Sequence, residues 1–291
     1  MRSLLPIFTV VAAIFVIWYG AAVALNTPWA KDQAKRNNVE LSFIELVADT
    51  WSQKKPKLPA PHQVVAEIWK TTGEMVAKGR AFSKRSLIYH SWITLSATML
   101  GFVMGTGFGI LLAIGIVYNR VMDMSVMPWV IASQTIPILA VAPMIIVVLN
   151  AVGISGLLPK AMISMYLSFF PVVVGMVKGL RSPDQMQLDQ MRTWNATSGQ
   201  EFWRLRLPSS MPFLFASLKV AMAASLVGAI VGELPTGAVA GLGARLLAGS
   251  YYGQTIQIWS ALIMAAALAA ALVALIGLIQ RMTLKKMGMA Q

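Results

Sequence analysis

From Ser86 to Asn119 the chain carries no Asp, Glu, Lys or Arg. A helix of about 20 apolar residues crosses the roughly 30 Å hydrocarbon core of a bilayer, so this window is longer than one crossing requires. It is not isolated. Leu4 to Leu25 and Gln254 to Gln280 are equally free of charge, and Pro212 to Leu234 holds only Lys219 and Glu233. Met124 to Val177 is interrupted only by Lys160 and is too long for one crossing; Gly and Pro within Asn150 to Lys160 supply a turn that splits it in two. Composition agrees: 12% of the residues are charged, against about 25% in soluble domains. The chain is therefore read as an all-α membrane protein with six transmembrane helices.

Side assignment rests on short connections, because basic residues accumulate in cytoplasmic loops. With six crossings, Arg2, Arg120, Lys178, Arg181, Arg192, Arg204, Arg206, Arg281, Lys285 and Lys286 share the side of both termini, whereas Lys160 and Arg245 lie opposite. This places both termini in the cytoplasm. The net charge of +13 is thus assigned to loops beside the lipid bilayer, and no nucleic-acid partner is expected. Of the 24 basic residues, 11 fall between Lys31 and Arg85, in a segment long enough to be translocated regardless of its charge. Arg2, the first apolar run and Ala22–Ala24 also resemble a cleavable leader, but the run exceeds the usual core of about 7–15 residues, so a retained span is expected. The domain reading is then residues 1–25 as the first transmembrane helix, 26–85 as a periplasmic segment, 86–281 as a five-helix core with a cytoplasmic loop at 181–211, and 282–291 as a cytoplasmic tail.

Within the periplasmic segment, the prolines of "KKPKLPAP" (Lys54–Pro61) favour extended chain. Val64, Val65, Ile68, Trp69, Met75 and Val76 then recur at helical spacing, with Glu67, Lys70, Glu74 and Lys78 on the other face. Such an amphipathic helix suits a partner or a gate, or else the lipid interface and the end of the bundle. Val39 to Trp51 is a second candidate helix. Tyr251, Tyr252 and Trp259 fit an interfacial aromatic belt.

Several chemistries are excluded or disfavoured. The chain has no cysteine and only His62 and His90, so neither a thiolate nor a histidine-rich metal site is expected. "GFVMGTGFG" (Gly101–Gly109) contains a G-x-G-x-G run, yet it sits inside an apolar helix with no preceding strand. Small residues four apart let helix backbones approach closely in lipid, and packing is the reading adopted. No G-x-x-x-x-G-K-[ST] occurs; any ATP must be bound by another chain.

The most informative stretch is "MRTWNATSGQEFWRLRLPSSMP" (Met191–Pro212), a polar, proline-punctuated interruption between two apolar runs. "DQMQLDQMRTW" predicts a short helix, Asn195 a left-handed residue that ends it, and "QEFWRLRL" a second short helix that exposes Phe202, Trp203 and Leu205. Pro208 and Pro212 are expected to stop that helix and start the next span. Trp and Arg are the residues that anchor interfaces, so the loop is read as a docking elbow for a cytoplasmic partner.

This elbow resembles the cytoplasmic loop of permease subunits of bacterial binding-protein-dependent ATP-binding-cassette importers. Their pattern is E-A-A, three residues, G, nine residues, I-x-L-P. Here the same spacing runs Asp189-Gln190-Met191, three residues, Asn195, nine residues, then Leu205-Arg206-Leu207-Pro208. Asp replaces Glu, Gln-Met replaces Ala-Ala and Asn replaces Gly. "LPAPHQVVAEIW", "SQTIPILAVAPMIIV", "VGEL" and "AGLGARL" resemble the branch that handles nitrate, sulfonates and taurine; the likeness covers Leu58 to Arg281, with Ala30 to Lys57 as an insertion. The resemblance implies a type I importer permease in the bacterial inner membrane. It implies a second permease copy as homodimer partner, a cytoplasmic ABC ATPase that binds the ATP, and a periplasmic solute-binding protein. This chain would bind no cofactor itself. Asp189, Arg192, Trp194, Asn195, Trp203, Leu207 and Pro208 would form the ATPase-docking loop.

Along the pathway, Ser133, Gln134 and Thr135 lie early in the third span, and Pro137 is expected to unwind it locally, freeing carbonyls to line a cavity. Interhelical hydrogen bonding is the competing role for these three. Glu233, the only acid inside a span, precedes Pro235 and is placed to cap the following loop or to pair with Arg245; structure or gating is favoured over substrate contact. The solute expected is a nitrate-, sulfonate- or taurine-like anion or a heterocyclic vitamin precursor. An ATP-independent secondary transporter or channel is the alternative. An intramembrane enzyme is less favoured still, because Glu233 has no evident catalytic partner.

Overall fold

The computed structural model describes residues 4–38, 40–234 and 240–289, with side chains from residue 6; the expectations placed on Arg2, Val39, Pro235 and residues 290–291 of the tail lie outside them. The described chain divides into two compact units: Met1–Ser91 with Ala244–Ala265, and Trp92–Gly243 with Ala266–Gln291. Among the described residues five helices are long and apolar enough to cross a membrane, or six with a bent pair counted as one span.

The first unit is organised around α1 (Leu4–Arg36). This helix continues well past the charge-free window that ends at Leu25. Two causes are visible. Lys35 and Arg36 occupy the last turn, where cations offset the helix dipole, and Asn26 and Ala30 are buried. Asn26 uses its whole amide. Its Nδ2 donates to the carbonyls of Thr50 (3.1 Å) and Leu58 (2.8 Å), and its Oδ1 accepts from the N–H groups of Lys57 (2.8 Å) and Leu58 (3.3 Å). The proline-rich strap is held further by Trp18 Nε1, which donates to the Pro59 carbonyl at 2.9 Å, and by Thr255 Oγ1, which donates to the Pro56 carbonyl at 2.5 Å. Trp259 packs against Trp18 with ring centroids 4.9 Å apart.

Helix α2 (Phe43–Ser52) fulfils the weaker sequence expectation, with Glu45 accepting from the Ser42 N–H at 2.9 Å. Helices α3 (Pro61–Thr71) and α4 (Gly73–Ala77) replace the single amphipathic helix expected after the prolines. Its apolar side chains are divided between the unit's interior and its surface. Val64 and Thr71 are buried and Ile68 is half-buried, but Val65, Trp69 and Val76 are exposed, as are Phe43 and Ile44 of α2. Beside a bilayer, outward apolar side chains meet lipid rather than water, which removes the pressure to bury all of them.

The second unit contains most of α5 (Leu87–Tyr118), then α6 (Arg120–Ala132), α7 (Ile138–Ala151) and α8 (Leu157–Leu180). The predicted turn between the third and fourth spans is present, with Gly153 and Gly156 both at φ 81°. The third span itself is broken: a 3₁₀ turn at Ser133–Thr135 separates α6 from α7, and the two segments meet at 102°.

Close packing of α5, α8 and the later helix α11 (Leu207–Gly232) fixes this unit. Gly101, Gly105 and Gly109 present bare backbone to α8. A Cβ at Gly101 would lie 2.6 Å from the Ala161 carbonyl, and one at Gly109 would lie 2.9 Å from that of Phe169. On α11, Gly228 meets the Ser164 backbone in the same way, at 2.7 Å. Hydroxyls join the three helices: Ser164 donates to the Ser225 carbonyl and Ser225 to the Thr98 carbonyl, both at 2.8 Å. Close approach of small residues is how helices associate when lipid supplies no hydrophobic drive between them. An apolar cluster including Phe102, Phe169, Met176, Leu214 and Met222 continues the contact.

Candidate functional site

The elbow is built by local backbone chemistry. Asp184 caps α9 (Gln185–Thr193) by accepting the Gln187 N–H at 2.8 Å, and the Gln187 side chain accepts the Asp184 N–H at 3.2 Å. At the other end Asn195 sits at φ 52°. Its N–H donates to the Arg192 carbonyl at 2.8 Å, and the Ala196 N–H donates to the Met191 carbonyl at 3.0 Å. This pair of bonds is the Schellman ending of a helix, with Asn in the place usually held by Gly. Thr197 then caps α10 (Ser198–Glu201), exchanging bonds with Gln200.

Beyond α10 the expectation of a stop at the prolines is overturned. The chain passes through a wide π turn at Phe202–Arg206, in which the Leu207 N–H reaches the Phe202 carbonyl, and continues directly into α11. Proline lacks an N–H, and its ring collides with the carbonyl four residues back in a regular helix. The widened turn just ahead of Pro208 relieves that collision, so both Pro208 and Pro212 are carried inside one helical run from Ser198 to Gly232.

The base of the elbow is anchored. Arg206 Nε pairs with Glu201 Oε1 at 2.5 Å, and its NH1 donates to the Leu180 carbonyl at 2.9 Å, capping the end of α8. Arg181 pairs with Asp123 at 2.8 Å. Phe202 is half-buried and packs edge-on to Tyr118 with centroids 6.0 Å apart, rather than standing free as expected. Leu205, Leu207 and Pro208 are also half-buried. The outer part is different. Trp194 is 68% exposed and Trp203 67%, and Asp189, Arg192 and Asn195 are exposed too. Asp189 and Arg192 pair with each other at 3.0 Å. Of the seven residues expected to dock a partner, five thus lie on the surface of the elbow, and Leu207 and Pro208 lie at its junction with α11.

The break in the third span lies in the same unit. Ser133 donates to the Val130 carbonyl and Thr135 to that of Ala132, each at 2.7 Å. The Tyr166 hydroxyl of α8 donates to the Ser133 carbonyl, which the bend has released. Gln134 and Thr135 are exposed, and so are Ile136 and Pro137. Sequence reasoning placed the break correctly but overlooked Tyr166, because a lone tyrosine in an apolar helix carries no signal of what it meets.

Glu233, at the end of α11, is fully buried (0% exposed). Its carboxyl oxygens accept from the Thr94 hydroxyl at 2.9 and 3.0 Å and from the Gly243 N–H at 2.8 Å. Thr94 in turn accepts the Leu242 N–H at 2.9 Å. Gly241 takes φ 127° directly against the carboxyl group, where a side chain would collide with it. Glu233 therefore ties the end of α11 to Gly243, and through Thr94 to Leu242, at the start of α12 (Leu242–Tyr251). Arg245, the alternative partner, belongs to the other compact unit. Thr94 was missed: one hydroxyl among the many of a charge-free helix does not announce its partner, which is 139 residues away.

Residues 105–288 match the family described as "Binding-protein-dependent transport system inner membrane component". The chain is similar to the formylaminopyrimidine transport permease protein ThiX of Halalkalibacterium halodurans, at 32% identity over 69% of this chain and 76% of that protein. It is also similar to the riboflavin transport system permease protein RibX of Chloroflexus aurantiacus (29% identity; 78% and 80% of the two chains). A third similarity is to the putative aliphatic sulfonates transport permease protein SsuC of Bacillus subtilis (24% identity; 78% and 77%).

Proposed function

Because the chain belongs to the family of inner-membrane components of binding-protein-dependent transport systems, we propose that it forms the translocation pathway of an ATP-driven importer, with a second copy of itself as partner. It is a multi-pass permease subunit and not an enzyme. In the proposed complex, ATP is bound and hydrolysed by a separate ATPase that docks on the elbow. Both chain termini lie in the cytoplasm on that reading, and a periplasmic binding protein delivers the solute from the other side.

The observation that carries this reading is the elbow: a Schellman turn at Asn195 with Trp194 and Trp203 exposed, anchored at its base through Arg206. Large exposed aromatics on a well-anchored support are what a docking partner grips. The broken span supports the pathway assignment. Non-helical backbone at membrane depth is tolerated only where protein covers it or water reaches it, and the turn at Ser133–Pro137 is exposed on this chain. A second copy facing that turn would enclose it in a pathway, with Ser133, Gln134 and Thr135 on its wall and Glu233 holding the neighbouring loop.

The solute proposed is a small nitrogen heterocycle or a small anion such as a sulfonate; formylaminopyrimidine and riboflavin in the names of two relatives favour the heterocycle. Co-purification tests the assembly. The tagged chain should recruit an ATPase and a second copy of itself, and solute uptake into vesicles should require internal ATP. Uptake that proceeds without ATP or any recruited ATPase would leave an ATP-independent carrier as the answer.

A further inference from the structure

A groove of about 1030 Å³ runs between α11 and α13 (Thr255–Lys286) within the second unit. Apolar residues, among them Pro212, Val273, Ala274 and Leu278, line it together with three cations, Lys219, Arg281 and Lys285. Gly277, Arg281 and Lys285 lie four residues apart and share one stripe of α13. The missing side chain at Gly277 leaves room for the lysine from the facing helix: a Cβ there would lie 3.6 Å from Lys219 Cε and 3.9 Å from its Nζ. Lys219 lies seven residues beyond Pro212, about 10 Å further along the helix. Among the described residues, Lys219, Arg281 and Lys285 take part in no ion pair.

Lys219 meets α13 at Gly277, and Arg281 and Lys285 follow past the end of its charge-free window at Gln280, which is where a bilayer's headgroups begin. Leu278 of the groove lining is exposed, and so are Val220, Leu275 and Met282 on the same two helices. A long cationic side chain near a helix end normally extends toward the interface. Here Lys219, Arg281 and Lys285 instead line one groove together with apolar side chains. We propose that this groove seats the headgroup of an anionic phospholipid from the leaflet on the side of the C-terminus. The phosphate lies among Lys219, Arg281 and Lys285, and an acyl chain lies along Val273, Ala274 and Leu278. The apolar residues in the same lining favour a lipid over a free phosphate, which would use only the cations.

The test is native mass spectrometry of the full chain in nonionic detergent, with phosphatidylglycerol and phosphatidylcholine of identical acyl chains in competition. Phosphatidylglycerol should be retained at least tenfold over phosphatidylcholine. Each removed cation should lower that retention roughly fivefold, first in Lys219→Met and then in Lys219→Met combined with Arg281→Gln and Lys285→Gln. Lys286→Gln, outside the groove lining, should change nothing. Size-exclusion profiles identify any variant that has lost its fold, and the single Lys219→Met substitution then decides. Equal retention of the two lipids, or undiminished retention by the variants, overturns the proposal. Displacement of phosphatidylglycerol by millimolar inorganic phosphate overturns it too, and assigns the site to free phosphate.

Discussion

The sharpest perturbation of the Glu233 closure is Thr94→Val, which keeps the shape of the side chain and removes only its hydroxyl. Two of that hydroxyl's contacts matter here. It donates to the Glu233 carboxyl at 2.9 and 3.0 Å, and it accepts the Leu242 N–H at 2.9 Å. Both residues are buried, so no water replaces the lost partner. Losing a hydrogen bond to a carboxylate costs about 1.5–3 kcal/mol, and leaving a buried N–H unsatisfied costs about 1–3 kcal/mol. The two losses share one site and are not additive, so the expected destabilisation is about 2–5 kcal/mol. Thr94→Ser keeps the hydroxyl and should cost less than about 1.5 kcal/mol, the loss of one methyl.

Unfolding in mixed detergent and SDS micelles, followed by tryptophan fluorescence, measures this difference. Uptake into vesicles provides the functional readout. Val should unfold well before Ser, and uptake should fall with Val alone. If Val and Ser unfold together within about 0.5 kcal/mol, the hydroxyl is not holding the loop after α11, and the account of Glu233 as its closure fails.

Three further outcomes follow from the geometry. Asn195→Pro, which cannot adopt φ 52°, and Trp203→Asp should both leave membrane insertion intact while ATP hydrolysis no longer drives uptake; normal uptake in both would refute the docking role. Gly105→Leu places a branched side chain against Ser168 and the Met165 carbonyl. It should cost about 1–3 kcal/mol or more and broaden the size-exclusion peak, whereas the same change at Gly107, which has open space around it, should not. Asn26→Ala removes all four bonds to the 50–58 segment and strands their backbone groups. Trypsin should then cut after Lys54 or Lys57 several-fold faster, and an unchanged cleavage rate would show that the strap is held by other means.

What the sequence disclosed depended on which force was acting. Charge depletion over about 20 residues is a strong signal because a bilayer tolerates few alternatives, and the spans were legible for that reason. The glycine stripe and the left-handed Asn195 were legible because each is a local backbone requirement that few residue types satisfy. Proline misled at Pro208 and Pro212. The rule that it stops a helix assumes a regular α turn upstream, and the π turn at Phe202–Arg206 suspends that assumption. In the α3 segment the helical spacing was legible but not its break at Thr72, and the exposed Val65 and Trp69 suit the partner surface or lipid interface that the spacing suggested. Pairings such as Thr94 with Glu233 or Tyr166 with Ser133 remained hidden, since each hydroxyl lies in a helix whose other residues give no hint of which one will find a partner.

The same π turn has a mechanical consequence. Had the prolines ended the second elbow helix, force on Trp203 would be absorbed in a hinge. Instead Ser198–Gly232 is a helical run of 35 residues, about 52 Å long, with Trp203 near one end and Glu233 just past the other. Along its length it meets α8 closely at Gly175, Gly179 and Gly228. Within the proposed import cycle, a displacement at the docking elbow therefore reaches the Glu233–Thr94 closure as movement of one rod. Spin labels at Gln200 and Val227 of one copy, diluted with unlabelled copies, should accordingly keep a single, narrow distance through ATP binding and hydrolysis by the ATPase. A distance that broadens or shifts by several ångströms would put a hinge at Pro212, and the rod would have to be abandoned.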